Sequence, residues 1–462
     1  MRKSFLLISV LFLSVFGTAC AARYEARTTT LAAQREMAVT ATVDTAFEAE
    51  WWRQFDDPAL DGLIEQAFSA NRDLQAAAAR STAARELAGA ASLLQAPYGG
   101  ATVGVSRQHL SVAEALGDVP DRTASLVQTG LGVAWEADLF GRLRGIRRAA
   151  VADAGVAAMD VRGAQVAIAA QIASAYFELR GAERDVALIE GLQARTRDQV
   201  KTTRTLVSAG RVTRLDLLRA QQVEEELGAS LSMSLHRIER ARNRLATLTG
   251  NTPDALQIPA ASAMTLRASA LPIGTPADLL RRRPDVAAAE LRVTAAAGRA
   301  GIARANLFPR VEVTGTVGLV AGSFGRLTEA AAGSWFIAPR LIWNAFDWPR
   351  LRREMRAAGA LADAAFAEYE QVVLQALEES RTALDAYAAA NRELVARERR
   401  AQAATDAAGV VFVQYREGLV DSLARTQADR DAIAGALDAN RTLTAQRLAV
   451  VDVYRALGGG WK

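Results

Sequence analysis

Cysteine and histidine, two residue types that often act as nucleophiles, proton carriers or metal ligands, are scarce in this chain. Its 462 residues include one cysteine and two histidines. His109 falls in a predicted strand or loop and His236 on a predicted helix, and neither has a carboxylate motif beside it. Both are therefore expected to be surface or interface residues. One cysteine and two isolated histidines do not make a metal-ligand cluster, so the sequence argues against a metalloenzyme.

Two further stretches contain residue types that bind ligands in other proteins. WEADLFGRLR, which starts at Trp135, has a single glycine and does not match the GxxxxGK phosphate loop. The basic run RRRP at 281–284 is expected to be solvated, with Pro284 opening a helix. The formal net charge of +4 is small for this length and does not indicate a nucleic-acid surface. We predict no catalytic residue, no metal, no cofactor and no nucleic-acid partner.

Cys20 is the residue for which a covalent modification is predicted. It follows a basic start, an apolar run from Phe5 to Phe16 that is too short to span a bilayer as a helix, and three small residues. This pattern predicts a secretory signal peptide at 1–19. The sequence around Cys20 resembles a bacterial lipobox, although Gly17 stands where leucine or a similar residue is usual. The resemblance implies that Cys20 receives acyl chains and begins a lipidated segment at 20–50.

The chain repeats itself at a nearly constant offset. DLQAAAARSTAARELAGAASLLQAP at 73–97 corresponds to DVAAAELRVTAAAGRAGIARANLFP at 285–309, which lies 212 positions later. Gly210 corresponds to Gly418 at an offset of 208. An offset held over most of each copy indicates an internal duplication. The predicted division is a first repeat at 51–257, a linker at 258–283 and a second repeat at 284–462.

Each repeat is expected to contain a long helical hairpin. Apolar residues between Ile168 and Ile189 follow a 3.5-residue period, which is typical of helices that supercoil around neighbours. A helix from Leu143 to Val207 would be about 100 Å long at 1.5 Å per residue. Gly210 is expected to end it as a C-cap glycine, and a second helix, at 215–248, returns alongside. The two glycine turns are therefore predicted to be the tips of two hairpins.

Four segments alternate between apolar and polar residues. They are ATVGVS (101–106), LVQTGLGVAWE (126–136), RVEVTGTVGLV (310–320) and SWFIAPRLIWN (334–344). Transmembrane barrel strands need about 9–11 residues with such alternation. A soluble sandwich with one wet face is the alternative, which the signal peptide and the tryptophans near strand ends disfavour.

Four strands cannot close a barrel, and an open edge in lipid leaves backbone groups without hydrogen bonds. The chain must then oligomerise. Two copies would supply eight strands around an interior filled by side chains. Three copies would supply twelve strands with room for a pore, so a trimer follows if the protein conducts anything.

Several long motifs resemble the TolC-like outer membrane factors, in particular the lipoprotein branch with OprM- and NodT-type proteins. The motifs are WWRQFDDPALDGLIEQAFSANRDL (from Trp51), WEADLFGRLR (from Trp135), ADLLRRRPDVAAAE (from Ala277) and the terminal LGGGWK. The resemblance implies a mainly α fold with a transmembrane β-barrel. Three chains would each give four strands to a twelve-stranded barrel in the outer membrane, and their helical hairpins would form a tunnel through the periplasm.

The same resemblance implies a function. The protein is expected to be a lipid-anchored exit duct of a tripartite efflux system, which passively conducts drugs or other small toxic compounds to the outside. Its expected partners are two further copies, a periplasmic adaptor, an inner-membrane transporter and outer-membrane lipid. The alternatives are an exit channel for type I secretion and a lipid-anchored coiled-coil protein without a pore.

The resemblance also assigns roles to residues near the two tips. The residues expected to contact the adaptor are Gly210, Val212 and Thr213 in the first hairpin and Gly418, Leu419 and Val420 in the second.

A periplasmic gate is expected a short distance beyond these tips. Leu423 and Gln427 fall where the family places apolar or acidic rings; Leu423 fits an apolar ring, whereas Gln427 replaces the aspartate often found there. Asp216 matches a position that latches the closed state. The family's latch arginine is absent, because Val420 occupies its position. The candidates to replace it as a partner of Asp216 are Arg425 and Arg430.

Overall fold

The computed structural model describes residues 50–109, 111, 123–259 and 282–459. The long helices and strands are α1 (Pro58–Ala70), α2 (Arg72–Leu93), β1 (Tyr98–His109), β2 (Thr123–Ala137), α3 (Arg142–Ser208), α4 (Arg214–Leu248), α5 (Pro284–Ala305), β3 (Arg310–Ala321), β4 (Gly333–Ile342), α6 (Trp348–Arg416) and α7 (Ser422–Ala456). The predicted signal peptide, Cys20 and nearly all of the predicted lipidated segment lie outside the described residues, as does most of the predicted linker. Each half of the chain has the same order of a helix, two strands, a long helix and a returning helix.

One of two compact units contains the sheet and comprises Arg80–Ala157 and Ala288–Glu370 among the described residues. Its four strands are antiparallel in the order β1-β2-β3-β4. Three of the four alternating segments lie wholly within these strands, and the fourth extends two residues beyond β4; the strands are 12, 15, 12 and 10 residues long. Strands of this length can cross the hydrocarbon core of a bilayer.

The predicted apolar face of the sheet is uncovered in the single chain. The register aligns Ala101, Leu131, Val317 and Trp335 in one row across the four strands. Leu131, Val317 and Trp335 are 58%, 60% and 75% exposed. Val127 has the same place as Leu131 in the period-two alternation of β2, yet it is buried. A contiguous exposed apolar face marks a surface that meets lipid or protein.

Two tryptophans show the duplication at the level of single hydrogen bonds. The indole N–H of Trp135 in β2 donates to the backbone oxygen of Gln95 over 3.1 Å. The indole N–H of Trp343, just after β4, donates to the backbone oxygen of Leu307 over 3.2 Å. The first bond joins the end of β2 to the residues that follow α2. The second joins the end of β4 to the residues that follow α5. Their donors are amphipathic side chains of the kind that concentrates at membrane interfaces.

The second unit consists of the described parts of Leu31–Ala79, Ala158–Ala287 and Gln371–Lys462. Its largest core forms where the start of the described chain packs on the long helices. The ring of Trp51 stacks on that of Tyr454 with 5.0 Å between centroids. The hydroxyl of Tyr176 donates to the carboxylate of Asp57 over 2.6 Å, and Asp57 also caps the N-terminus of α1. These contacts fasten α1 to α3 and α7. None of the described helices is both long and apolar enough to cross a bilayer.

The helical periodicity was predicted correctly with one exception. The residues of the predicted stripe that are buried in α3 are Ile168, Ile172, Ala175, Leu179, Ala182 and Ile189. Val186 is half-buried, and the neighbouring Asp185 is buried in its place, with a side chain only 1% exposed. Asp185 is therefore a charged residue in the helix core, where partners from two other helices compensate the charge.

Candidate functional site at the hairpin tips

The first hairpin turns at Gly210, as predicted. The N–H of Gly210 donates to the oxygen of Val207 over 3.0 Å, and the N–H of Arg211 donates to the oxygen of Leu206 over 2.8 Å. This pair of bonds is the Schellman motif, which satisfies the last carbonyls of α3. The motif needs a left-handed residue at the turn, and Gly210 has a φ of 68°.

The second hairpin repeats this turn. The N–H of Gly418 donates to Tyr415 over 3.1 Å, and that of Leu419 donates to Gln414 over 2.8 Å. Gly418 has a φ of 72°. A Cβ placed on either tip glycine would meet no heavy atom within 4 Å. The backbone conformation, rather than lack of space, explains why both positions are glycine.

Each returning helix has a side-chain cap three residues after the tip glycine and begins at the next residue. Thr213 and Asp216 form a capping box: the Asp216 carboxylate accepts the N–H of Thr213 over 2.9 Å, and the Thr213 hydroxyl oxygen accepts the N–H of Asp216 over 3.3 Å. In the second hairpin Asp421 accepts the N–H of Ala424 over 2.8 Å. Only two residues separate each tip glycine from its cap. In the second hairpin the first of them, Leu419, is 74% exposed.

The capping box gives a prediction for stability and pH. Hydrogen bonds from the Thr213 side chain and backbone hold the pKa of Asp216 below its ordinary value of 3.8. A lowered pKa stabilises the fold above the ordinary value, and this contribution is lost as the pH falls through the folded value. The box should therefore stay intact between pH 7 and 5. Thr213→Ala should destabilise the start of α4 by about 1 kcal/mol, which is roughly a fivefold rise in amide exchange at the tip.

Hydrogen exchange read by mass spectrometry measures this effect. Thr202→Ala is the matched control, because Thr202 is an exposed threonine inside α3 whose hydroxyl donates to the oxygen of Asp198 over 2.8 Å. Its replacement should leave exchange at the tip unchanged. Equal exchange in Thr213→Ala and wild type, or loss of protection already at pH 5, would contradict the role given to the box.

The two hairpins are joined to each other close to the tips. The Ser422 hydroxyl donates to the second oxygen of the Asp216 carboxylate over 3.0 Å. Farther from the tips, the side-chain amide of Gln199 in α3 donates to the Thr426 hydroxyl over 2.9 Å. Asp216 thus serves two purposes: it caps its own helix and holds the start of α7. Water can readily replace the Ser422 hydroxyl and the Gln199 amide as hydrogen-bond donors. The contact between the two hairpins can therefore open.

The two arginines expected to pair with Asp216 have other partners in the protein. Arg430 forms an ion pair with Glu226 of α4 at 2.6 Å. Arg425 lies over the rings of Phe412 and Tyr415 of α6, with its guanidinium carbon 5.1 Å and 5.0 Å from their centroids. Within the described chain, neither arginine contacts the predicted latch carboxylate. Arg430 nevertheless connects the two hairpins, whereas Arg425 fixes α7 to α6 within the second one.

The two predicted gate positions differ in their surroundings. Leu423 lies in the first turn of α7, and its apolar side chain is 42% exposed in the single chain. The Gln427 amide donates to the carboxylate of Asp431 over 3.1 Å. Among the gate and tip contacts, sequence reasoning missed the hydrogen bond from Ser422 to Asp216. The only signal for it was a small hydroxyl residue placed directly after a helix cap.

Comparison with known proteins identifies the protein family. The family model described as "Outer membrane efflux protein" matches residues 63–251 and 275–459. The chain belongs to the outer membrane efflux protein family. It is 30% identical over 433 residues to the outer membrane protein OprJ of Pseudomonas aeruginosa, covering 93% of this chain and 89% of OprJ. It is 29% identical over 476 residues to the toluene efflux pump outer membrane protein TtgC of Pseudomonas putida, covering 100% of this chain and 96% of TtgC.

Solved structures of outer-membrane channels have the same fold. The outer-membrane channel OprN superposes with a TM-score of 0.85 at 37% identity, covering 90% of this chain and 94% of OprN. The open state of the MtrE outer membrane channel of Neisseria gonorrhoeae gives a TM-score of 0.83 at 27% identity, covering 91% of this chain and 94% of MtrE. This outer membrane efflux protein therefore has the mainly helical channel fold, resides in the outer membrane and extends into the periplasm. It is the outer-membrane exit duct of a tripartite efflux system, and its family is one of channel components rather than of enzymes.

Proposed function

We propose that three copies of this outer membrane efflux protein assemble into one passive channel. The sheet supports this assembly, because β1 and β4 are its two edges and each has a single strand neighbour in the described chain. Unpaired strand edges cannot stay open in lipid, and joining β4 of one copy to β1 of the next closes a twelve-stranded barrel. The exposed apolar row through Leu131 and Trp335 then faces the lipid.

The proposed cargo consists of small toxic compounds, including solvents and antibiotics. Relatives that cover most of this chain are named for toluene and antibiotic efflux pumps. The energy for export comes from an inner-membrane transporter, because a duct of this kind supplies only a path. The channel itself would discriminate little among such compounds.

The proposed contact with the periplasmic adaptor is formed by the hairpin tips. The observation that carries this proposal is the repeated tip, in which a Schellman glycine, two further residues and a helix cap recur at an offset of 208 positions. Gly210, Val212 and Thr213 occupy one such tip, and Gly418, Leu419 and Val420 occupy the other. Rigid, capped turns lose little conformational entropy when a partner binds, which favours them as docking points.

Photo-crosslinking in cells tests the adaptor contact. A photoreactive amino acid at position 419 should crosslink to a periplasmic adaptor protein, identified by mass spectrometry. The same amino acid at position 87 is the matched control, because Leu87 is 69% exposed and lies on α2, a helix that forms neither turn. Equal crosslinking to the adaptor from both positions, or none from position 419 in an active pump, would rule out the tips as the docking site.

The proposed periplasmic gate lies in the first turns of the returning helices. Three copies of Leu423 form an apolar constriction that hinders ions by size and by dewetting. Gln427 forms the next, polar ring. Asp216 holds the constriction closed through Ser422 rather than through an arginine.

Cys20 is the proposed acyl anchor, and its replacement gives a further prediction. One lipid anchor holds a protein less firmly than a closed barrel does. Cys20→Ser should therefore abolish acylation but leave assembled protein in the outer membrane. Labelling with a palmitate analogue, followed by membrane fractionation, measures both effects. A serine variant that is labelled as strongly as wild type would show that the anchor is elsewhere.

A further inference from the structure

The core of the helical hairpins is interrupted by a buried polar layer. Buried apolar residues form one cluster that includes Ala182 and Ile238, and a second, separate cluster that includes Ile189 and Leu227. Asp185 lies between Ala182 and Ile189 on α3. The second cluster is the one nearer to the tips along each helix.

The carboxylate of Asp185 joins three helices in this layer. Its first oxygen accepts the side-chain amide of Asn440 in α7 over 2.6 Å. Its second oxygen accepts a hydrogen bond from the guanidinium of Arg237 in α4. The amide of Asn440 also donates to the backbone oxygen of Gly181 over 2.8 Å. A Cβ at Gly181 would collide with the side chain of Thr444, so α7 approaches α3 closely here.

Stability alone does not explain such a layer. A buried ion pair loses much of its attraction to desolvation, and replacing a whole buried polar set with apolar residues is often neutral or stabilising. Polar residues in the core of supercoiled helices have a better-established role, which is to fix the register of one helix against its neighbours. The Asp185 layer is placed to fix the register of α7 against α3 and α4.

The second repeat has no equivalent of this layer at the corresponding positions. At the repeat offset of 208, Asp185 corresponds to Glu393 and Arg237 corresponds to Ala445. Glu393 has a side chain that is 55% exposed and pairs with Arg397 one turn away on its own helix. The layer therefore does not follow from the duplicated fold and belongs specifically to the packing of α7 against the first hairpin.

The connections of α7 differ along its length. At the layer it is held by two buried hydrogen bonds from the Asn440 amide, one to the backbone oxygen of Gly181 and one to the Asp185 carboxylate, and a bond to a charged group is the stronger kind. Nearer to the tip it is held to the first hairpin by the hydroxyl of Ser422, which is partly exposed, by the neutral hydrogen bond from Gln199 to Thr426, and by the exposed ion pair of Arg430 with Glu226. Exposed ion pairs contribute little and exchange with water easily. The tip end of α7 can therefore detach while its middle stays fixed.

We propose that the Asp185 layer is the fixed point about which the tip end of α7 moves when the gate opens. This inference rests on the proposed gate at Leu423, which lies in the first turn of α7. On opening, the hydrogen bond from Ser422 to Asp216 breaks, whereas the bonds from Asn440 and Arg237 to Asp185 persist. Because the layer holds the middle of α7, the tip end of this helix can only swing outward. The layer prevents α7 from sliding along α3 and α4, which would put the residues of the constriction out of register.

The test removes the whole layer without leaving a buried charge. Asp185→Leu/Arg237→Met/Asn440→Leu should fold into trimers at least as heat-stable as wild type. A spin label at Leu419→Cys, measured by double electron–electron resonance between copies, should then give a broader and longer distance distribution than in wild type, with raised resting conductance. Asn440→Leu alone should show the same changes to a smaller extent, and it keeps the test valid if the triple variant does not fold.

The matched control removes an exposed ion pair between α3 and α4, which are two of the three helices that the layer joins. Arg240 and Glu178 lie 3.7 Å apart on α4 and α3. Glu178→Leu/Arg240→Met should change neither the distance distribution nor the conductance. Layer variants with wild-type distances and conductance would overturn the inference, even if their heat stability changes. If wild type and Leu423→Ser both fail to conduct, the proposed function fails instead, so the two failures can be told apart.

Discussion

Leu419→Asp should reduce efflux to the level of a strain that lacks the protein, while trimers still assemble in the outer membrane. Leu419 is 74% exposed at the tip of the second hairpin, so its replacement removes no core contact. In the proposed complex, however, the new carboxylate would be buried against the adaptor without a partner. Burying an unpaired charge at a contact is costly, and central contact residues dominate binding energy. The minimum inhibitory concentration of a toxic compound, at matched expression, measures the loss.

Two matched variants distinguish loss of the adaptor contact from distortion of the turn itself. Leu419→Met keeps an apolar side chain and should retain efflux. Gly418→Asn should retain more activity than Gly418→Trp, because asparagine tolerates the left-handed conformation that the φ of 72° requires. Full resistance in cells that express Leu419→Asp at normal levels would show that this tip is not part of the contact.

Leu423→Ser should make the outer membrane leaky. In the proposed trimer three Leu423 side chains close the channel by size and by dewetting, and three hydroxyls would let water and ions through. Asp216→Ala should have a smaller effect, because it releases Ser422 and the cap of α4 but leaves the apolar ring in place. Sensitivity to a bulky hydrophilic antibiotic such as vancomycin, which intact outer membranes exclude, measures the leak in cells.

The control for this variant is Leu423→Met, which keeps the ring apolar and should leave the cells as resistant as wild type. If Asp216→Ala made the outer membrane leaky and Leu423→Ser did not, the gate would lie in the polar contacts of Asp216. In that case the hydrogen bond between Ser422 and Asp216 would be the barrier itself rather than the latch.

The helices and turns could be predicted from the sequence because their signals are local. The 3.5-residue period of α3 and the glycine at its end are properties of one segment, and the structure ends α3 at Ser208, two residues before Gly210. The internal duplication then predicts the second hairpin, because its sequence corresponds to that of the first. Helix caps such as Thr213 with Asp216 are equally local, although only the structure shows that both halves of the box are formed.

The strands were predictable in position and less so in detail. Period-two alternation located all four strands and the face that carries Leu131 and Trp335. The burial of Val127 was not predictable from alternation, which does not show which residues the neighbouring strands place beside it. Its register partners are Val105 and Ala321, and the pairing of strands fixes them only once the sheet has formed.

The contacts between the hairpins could not be predicted, because each joins residues far apart in the chain. Ser422 and Asp216 are separated by 206 positions. Asp185 looks like an ordinary surface charge of an α-helix until Arg237 and Asn440 are placed around it. The sequence also offered Arg425 as a latch, since nothing local shows that Phe412 and Tyr415 hold its guanidinium. Such pairings depend on helix register across the bundle, which periodicity leaves undetermined.

Single-channel recording of the purified protein in planar bilayers tests the central claim most directly. The claim is that this outer membrane efflux protein is a passive duct closed at its hairpin ends by Leu423. The account predicts discrete channels of low resting conductance for wild type, and a larger, more persistently open conductance for Leu423→Ser. Correctly assembled trimers that give no channels in either form would contradict it.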